Sequence, residues 1–261
     1  MEVRAAALLV HRVRLPGGGA ALRRALACLG LLACLVGWYE LAPHVGAFSL
    51  WPSIWFIALV LMPLNFLLVW LALPLWNSRL LLPLGIGLAV LAVVFSKVDV
   101  AVASNFCKLF ALTFLGWWFL GYFEAVSWVV LVALLIPWVD AYSVWRGPTK
   151  QITQGHAHVF GALSVAFVVP GGGAARLGLP DVLFFAVFLG ASVRFGLRPA
   201  WTFVGMLVGL GLTMILATWW DVSGLPALPG ISLGFLLPNA DLLRDRLRAD
   251  RIGVQGTTNR T

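Results

Sequence analysis

The feature that most constrains this chain is a succession of long apolar segments separated by short breaks that hold most of its charges. The segments run at roughly 25–47, 51–76, 80–96, 100–122, 124–145, 177–195, 199–219 and 226–240. About 20 apolar residues make a helix long enough to cross a bilayer core, so this pattern predicts eight transmembrane helices. With only 11% charged residues and a mean hydropathy of +0.97, the chain falls far from the ~25% charge of a soluble domain. The expected fold class is an all-α polytopic membrane protein: one integral-membrane domain over 1–261, embedded in the lipid bilayer. Within it we read a basic tail (1–24), N-terminal helices (25–123), a half that holds the candidate catalytic residues (124–243) and a charged tail (244–261).

The net charge of +8 does not mark a nucleic-acid surface, because the positives lie mainly in the tails and loops. In a membrane protein that distribution reports orientation. Eight spans put both Arg-rich tails on one side, together with Arg79, Arg194 and Arg198, and this side is expected to be cytoplasmic. The 146–176 loop then faces the opposite side, although it carries Arg146, Lys150 and Arg176. Pro63 and Pro74, with Asn65 between them, predict a kink in the second span. Lys108 is expected to snorkel from the fourth span. Cys28, Cys34 and Cys107 read as small buried hydrophobes. The Ala162–Pro170 stretch is too short to span and reads as a strand or a re-entrant piece.

Of ten acidic residues, eight lie in tails or at span ends. Two fall within apolar segments: Asp140, in Leu-Ile-Pro-Trp-Val-Asp-Ala-Tyr, and Asp181, in Leu-Gly-Leu-Pro-Asp-Val-Leu-Phe-Phe. A carboxylate at the bilayer centre costs roughly 3 kcal/mol even on insertion scales, which makes each a functional candidate. Asp140 precedes Arg146 by six residues and Asp181 follows Arg176 by five, as read from the sequence. At about 1.5 Å per helical residue, the two carboxyls sit at one depth on consecutive antiparallel helices that can pack side by side. Facing carboxyls share one proton. One can then activate water while the other protonates a carbonyl oxygen. Three alternatives remain open at this point: a proton or cation relay in a transporter or channel, a catalytically inactive binder of membrane proteins, or two unrelated acids bonding groups freed by Pro137 and Pro180.

Gly178-Leu179-Pro180-Asp181 resembles the Gly-x-Gly-Asp motif of presenilins and signal peptide peptidases. Pro226-Ala227-Leu228 is similar to their Pro-Ala-Leu motif at the last helix. Asp140 precedes Arg146-Gly147-Pro148 as the first catalytic aspartate precedes a basic-Gly-Pro turn in presenilins. Phe184, Phe185 and Leu189-Gly190-Ala191-Ser192 fit the stretch after the second aspartate. The resemblance covers about 120–243. Val139 stands where the family has Tyr, Pro180 replaces the second Gly, and the family has nine spans to the eight counted here. What the resemblance implies is a presenilin-like bundle and an intramembrane aspartyl protease. Asp140 and Asp181 would be the catalytic dyad, with no metal or organic cofactor. Its partners would be membrane-spanning peptide substrates or signal peptides. Gly178, Leu179, Pro180, Pro226, Ala227, Leu228 and Pro229 would shape the site, the two prolines 226 and 229 keeping that segment non-helical with free carbonyls; the residues alone equally allow a plain helix start with Pro in its first turn. The apolar Ala166–Pro170 stretch, with Phe167 and Val168, is expected to pair with an extended substrate as an added strand.

Other signals carry less. His156 and His158 lack a third ligand for a metal. No His-Glu-x-x-His is present, and no histidine after His158 can serve Ser192 as a base. Gly171-Gly172-Gly173 has no preceding strand or Lys-Ser/Thr for a phosphate loop. Gly205-x-x-x-Gly209 reads as a helix-packing face, and the 13 tryptophans as interfacial belts and core.

Overall fold

The computed structural model describes residues 18–146, 161, 163–222 and 225–247. Expectations that fall on residues 1–17, on Gly147, Pro148, Lys150, His156 and His158, on the Arg146 side chain and on residues 248–261 lie outside that set. The described chain is mostly helical: α1 (Gly18–Leu41), α2 (Leu50–Phe56), α3 (Met62–Ala72), α4 (Leu81–Lys97), α5 (Ala101–Leu120), α6 (Val126–Arg146), α7 (Leu179–Arg194), α8 (Pro199–Trp219) and α9 (Leu228–Leu236). A 3-10 turn, Leu237–Asn239, and helical residues 240–247 continue α9. Five helical stretches among the described residues are long and apolar enough to cross a membrane: Gly19–His44, Leu50–Leu75, Ala101–Leu120, Val126–Val144 and Pro199–Trp219. Large apolar side chains such as Leu84, Ile86 and Val90 on α4 and Val204, Val208 and Leu212 on α8 stand exposed. A belt of that size suits lipid. The chain is therefore a helical protein of the membrane-embedded kind.

α1 is already helical at Gly18, so the basic segment is shorter than 1–24. Arg23 and Arg24 stand on its first turns, where the run Ala-Ala-Leu-Arg-Arg-Ala-Leu favours helix. Cys34 is exposed on this helix, which corrects the expectation that all three cysteines are buried. The kink expected near Pro63 takes the form of a π-helical stretch, Ile57–Leu61, between α2 and α3. The Met62 N–H reaches back to Ile57, and the wider turn accommodates the missing Pro63 donor. Asn65 Nδ2 then donates to Leu61 O at 2.8 Å.

The core is aromatic where the helices cross. Phe66 of α3 meets Phe185 of α7 with ring centroids 4.1 Å apart. Phe188 of α7 stacks on Phe235 of α9 at 4.9 Å. Trp117 of α5 is buried and donates Nε1–H to Ala186 O at 3.0 Å. α7 packs mainly on α5, and α9 on α8. Along the second interface Gly205 and Gly209 face Gly234 and Gly230 with backbone against backbone. Only residues without a Cβ permit that approach.

The largest departure from the expected pattern is a β-hairpin, β1 (Ser164–Val168) and β2 (Ala174–Gly178), paired antiparallel with Ala166 opposite Arg176. The 177–195 segment therefore does not begin as helix: its first two residues end a strand. A strand also precedes the three glycines, and these form the hairpin turn. Gly172 N donates to Val169 O at 3.1 Å, and Pro170 and Gly171 (φ 86°) hold the positions a type II turn gives to Pro and Gly. Gly171 N also bonds Ala42 O at 3.0 Å, which ties the turn to the end of α1. One face of the hairpin, Val165, Phe167 and Leu177, is buried in the core.

Candidate active site

β1 has no free edge. Residues 165, 167 and 169 point their backbone groups at β2, so 164, 166 and 168 point theirs outward. Side chains from neighbouring helices occupy that outer row. Asn105 of α5 pairs with Ala166 as a strand residue would: its Oδ1 accepts from Ala166 N at 2.7 Å and its Nδ2 donates to Ala166 O at 3.0 Å. Tyr39 Oη donates to Ala166 O at 2.7 Å, and Trp38 Nε1 to Val168 O at 3.0 Å. Lys108 Nζ donates to Ser164 O at 3.2 Å and Gly161 O at 3.0 Å. Lys108 thus holds the hairpin instead of snorkelling outward. Phe167 is fully buried, so neither it nor Val168 offers a place for an added strand. The open edge belongs to β2, where no bond from the backbone of Ala174 or Arg176 away from β1 is present among the described residues.

β2 runs directly into the second aspartate. Gly178 is the N-cap of α7, Pro180 lies in its first turn, and Asp181 is the third helical residue. Pro180 is tolerated there because first-turn N–H groups have no intrahelical acceptor. Asp181 Oδ2 accepts from Gly178 N at 3.1 Å. A Cβ on Gly178 would lie 3.0 Å from that same oxygen, so glycine leaves the room in which the carboxyl folds back. Asp181 is 9% exposed. Because the residues before Leu179 are strand, the helical rise used to set its depth from Arg176 does not apply. Leu179 N bonds Leu163 O at 3.2 Å and fixes the strand-to-helix turn.

Asp140 lies on α6, three residues after Pro137, and is half-buried. Its Oδ2 accepts from Leu228 N at 3.0 Å. Neither aspartate bonds a group freed by a proline of its own helix. The helices that carry them do not pack side by side over their length: α6 leans on α9 and touches α7 only lightly, and α9 joins the two. Each carboxyl is held at a helix N-terminus, Asp181 at that of α7 and Asp140 at that of α9, and both ends favour negative charge.

The Pro226–Pro229 segment is helical from Leu228, with Ala227 as N-cap and Pro229 in the first turn. Only Pro226 and Ala227 stay outside the helix. The Ala227 carbonyl is taken by Ile231 N at 3.2 Å, so what this segment gives the aspartate is an N–H, not the free carbonyls expected of it. The sequence singles out the aspartates, Gly178 and Leu228. It does not single out Asn105, Tyr39 or Trp38, which lie 61, 127 and 130 residues from the strand atoms they hold. Ser192 is buried and donates to Leu189 O at 2.6 Å, a helix-internal bond that leaves no nucleophile. Among the described residues no three His, Cys, Asp or Glu side chains gather as metal ligands. No protein-family model matches the chain, and no curated protein matches it.

Proposed function

We propose that this protein is an intramembrane aspartyl protease of the presenilin and signal peptide peptidase kind. It would cut peptide bonds in membrane-spanning helices or signal peptides with Asp140 and Asp181. The observation that carries this reading is a pair of buried or half-buried carboxyls each held by a backbone N–H at a helix start, Asp181 by Gly178 and Asp140 by Leu228, with α9 packed on both of the helices that carry them and a strand edge, open among the described residues, leading to Asp181. One carboxylate takes a proton from water as the water attacks the scissile carbonyl carbon. The protonated partner gives its proton to the carbonyl oxygen, and the tetrahedral species collapses with the proton returned to the leaving nitrogen. A helical peptide carbonyl is hydrogen-bonded and shielded, so the substrate must unwind. The outer edge of β2 offers the unwound segment backbone partners within a few residues of Asp181. Multi-pass insertion with eight spans and both tails cytoplasmic belongs to the same proposal, as does the lipid bilayer as its medium.

A relay would need further titratable groups along the path. α6, α7, α8 and α9 carry no acid besides Asp140 and Asp181, which favours local chemistry over transport. The deciding experiment incubates the purified full chain in lipid vesicles with a synthetic single-span peptide. Wild type cuts it. Asp140→Ala and Asp181→Ala each lose about a thousandfold or more, and the double variant loses little beyond either single one, because the pair acts as a unit. Cleavage that persists in the Asp181→Ala protein ends the proposal. So does proton or cation flux by a wild type that cuts nothing.

A further inference from the structure

A cavity of about 450 Å³ lies between β1, the tip of the α4–α5 turn and the end of α1, lined in part by Tyr39, Asp99, Ser104, Asn105, Lys108 and Arg176. Neither aspartate lines it; Arg176 turns its side chain to this cavity while its backbone lies on the outer edge of β2. Two cations share this space. Lys108 and Arg176 both reach Ser164, one its carbonyl and the other its hydroxyl, which brings two like charges into one recess. Among the described residues Lys108 Nζ makes two hydrogen bonds, to the Gly161 and Ser164 carbonyls, and Arg176 makes one, to Ser164 Oγ at 3.5 Å. An ammonium has three N–H donors and a guanidinium five. Counted over the described residues, about five of those donors have no acceptor beside two positive charges, and Asp99 is the one acid among the described residues that line the cavity. Three polar groups behind them are already held: Ser104 Oγ donates to Ala92 O, Tyr39 Oη to Ala166 O, and both ends of the Asn105 amide are bonded to Ala166. What the cavity offers a ligand is charge and donors, which suits an oxyanion with several acceptor oxygens.

The surroundings decide its source. Val93, Val94, Val98 and Val100 stand exposed on the end of α4 and in the turn that leads into α5. Lys108 is seven residues into α5, roughly 10 Å along the axis. A basic recess beside exposed valines at a membrane interface matches a phospholipid, whose phosphate enters while its tails cover the apolar flank. We propose that this cavity binds the phosphate of an anionic phospholipid headgroup, and that the bound lipid braces the outer row of β1. The proposal goes beyond the protease reading, and its test reads binding without any substrate.

The test titrates the purified full chain in neutral detergent with short-chain phosphatidylglycerol, short-chain phosphatidylcholine or inorganic phosphate, and follows the unfolding temperature. The expected result is a saturable rise with phosphatidylglycerol alone, since a ligand of the folded state stabilises it. Arg176→Gln and Lys108→Met each weaken the apparent affinity about five- to tenfold, the worth of one cation near a charged lipid. Arg79→Gln removes an exposed cation at the other end of α4 and leaves the affinity unchanged. Arg176→Gln decides the matter even where Lys108→Met fails to fold, because the Arg176 side chain is exposed and the unliganded unfolding temperature checks its integrity. No saturable rise, or equal weakening by Arg79→Gln, overturns the proposal. A full effect from inorganic phosphate at the same concentration overturns the lipid as the source.

Discussion

Gly178 carries more of the site than its size suggests. Its N–H holds Asp181 Oδ2, and the space beside its Cα is where that oxygen sits. A methyl group there would stand 3.0 Å from the carboxyl, which must then move by some tenths of an ångström. Displacements of an ångström cost up to about a hundredfold in rate, so Gly178→Ala should lower cleavage about tenfold with little change in unfolding temperature. An unchanged rate would show that Asp181 does not depend on this geometry. At the opposite end of α7 and α8 a second acid has a plainly structural task. Arg198 grips both oxygens of Asp241 at 2.8 and 2.6 Å, outside the spans. Those hydrogen bonds hold the Asp241 carboxyl below its ordinary range. A depressed carboxylate stabilises the fold above its unfolded pKa of about 3.9 and loses that contribution as pH falls through the folded value. Melting curves of wild type and Arg198→Gln should therefore differ at neutral pH and converge under strong acid. The gap is small, because both side chains are largely exposed.

The hairpin shows what a linear pattern can and cannot carry. Apolar length alone predicts the helices, and six of the eight expected ranges begin and end within a few residues of observed helical stretches, while α1 starts earlier, at Gly18, and the last helix runs on to residue 247. β2 escapes because Ala174-Ala175-Arg176-Leu177-Gly178 has little β-branched or aromatic character and runs without punctuation into the apolar α7. β1 is visible as a short apolar run, yet the closing of its outer edge is not. That depends on Asn105, Tyr39 and Trp38, contributed by helices far away in sequence. Asp140 and Asp181 are legible for the opposite reason: a carboxyl in apolar surroundings stands out by its cost. The hairpin also has a testable asymmetry. Ala174→Pro removes an outward N–H from β2 while leaving the β1 ladder intact, and should cut proteolysis severalfold at unchanged unfolding temperature. Phe167→Pro breaks the ladder and empties a core position, so it should lower stability first. Full proteolysis by the Ala174→Pro protein would remove β2 as the docking edge.

At the scale of the whole molecule, the order of the elements places the groups that matter at one end. Successive helices alternate in direction if each crosses the membrane, so the α1–α2 and α4–α5 turns, the hairpin and the start of α9 share a side with both aspartates. The hydrogen bond from Gly171 N to Ala42 O and that from Leu228 N to Asp140 Oδ2 join these pieces across that end. Among the described residues the opposite end then holds Arg23, Arg24, Arg79, Arg194, Arg198, Arg244 and Arg246, against Lys97, Lys108, Arg146 and Arg176 for the aspartate end. Short-loop Lys and Arg set orientation and acids count for little, so under the proposed eight-span arrangement the excess of arginines predicts cytoplasmic tails and a hairpin on the far side. By resemblance this is the orientation of signal peptide peptidases, and it favours substrate helices whose N-terminus is cytoplasmic. Reporter fusions after Gly172 and after Arg246 test it directly. An outward reporter at Gly172 and a cytoplasmic one at Arg246 are expected, because α7, α8 and α9 lie between the two points and an odd number of crossings must separate them. Both reporters on one side would mean that one of these three helices does not span, and α9, with nine residues before its 3-10 turn, would be the first to re-examine.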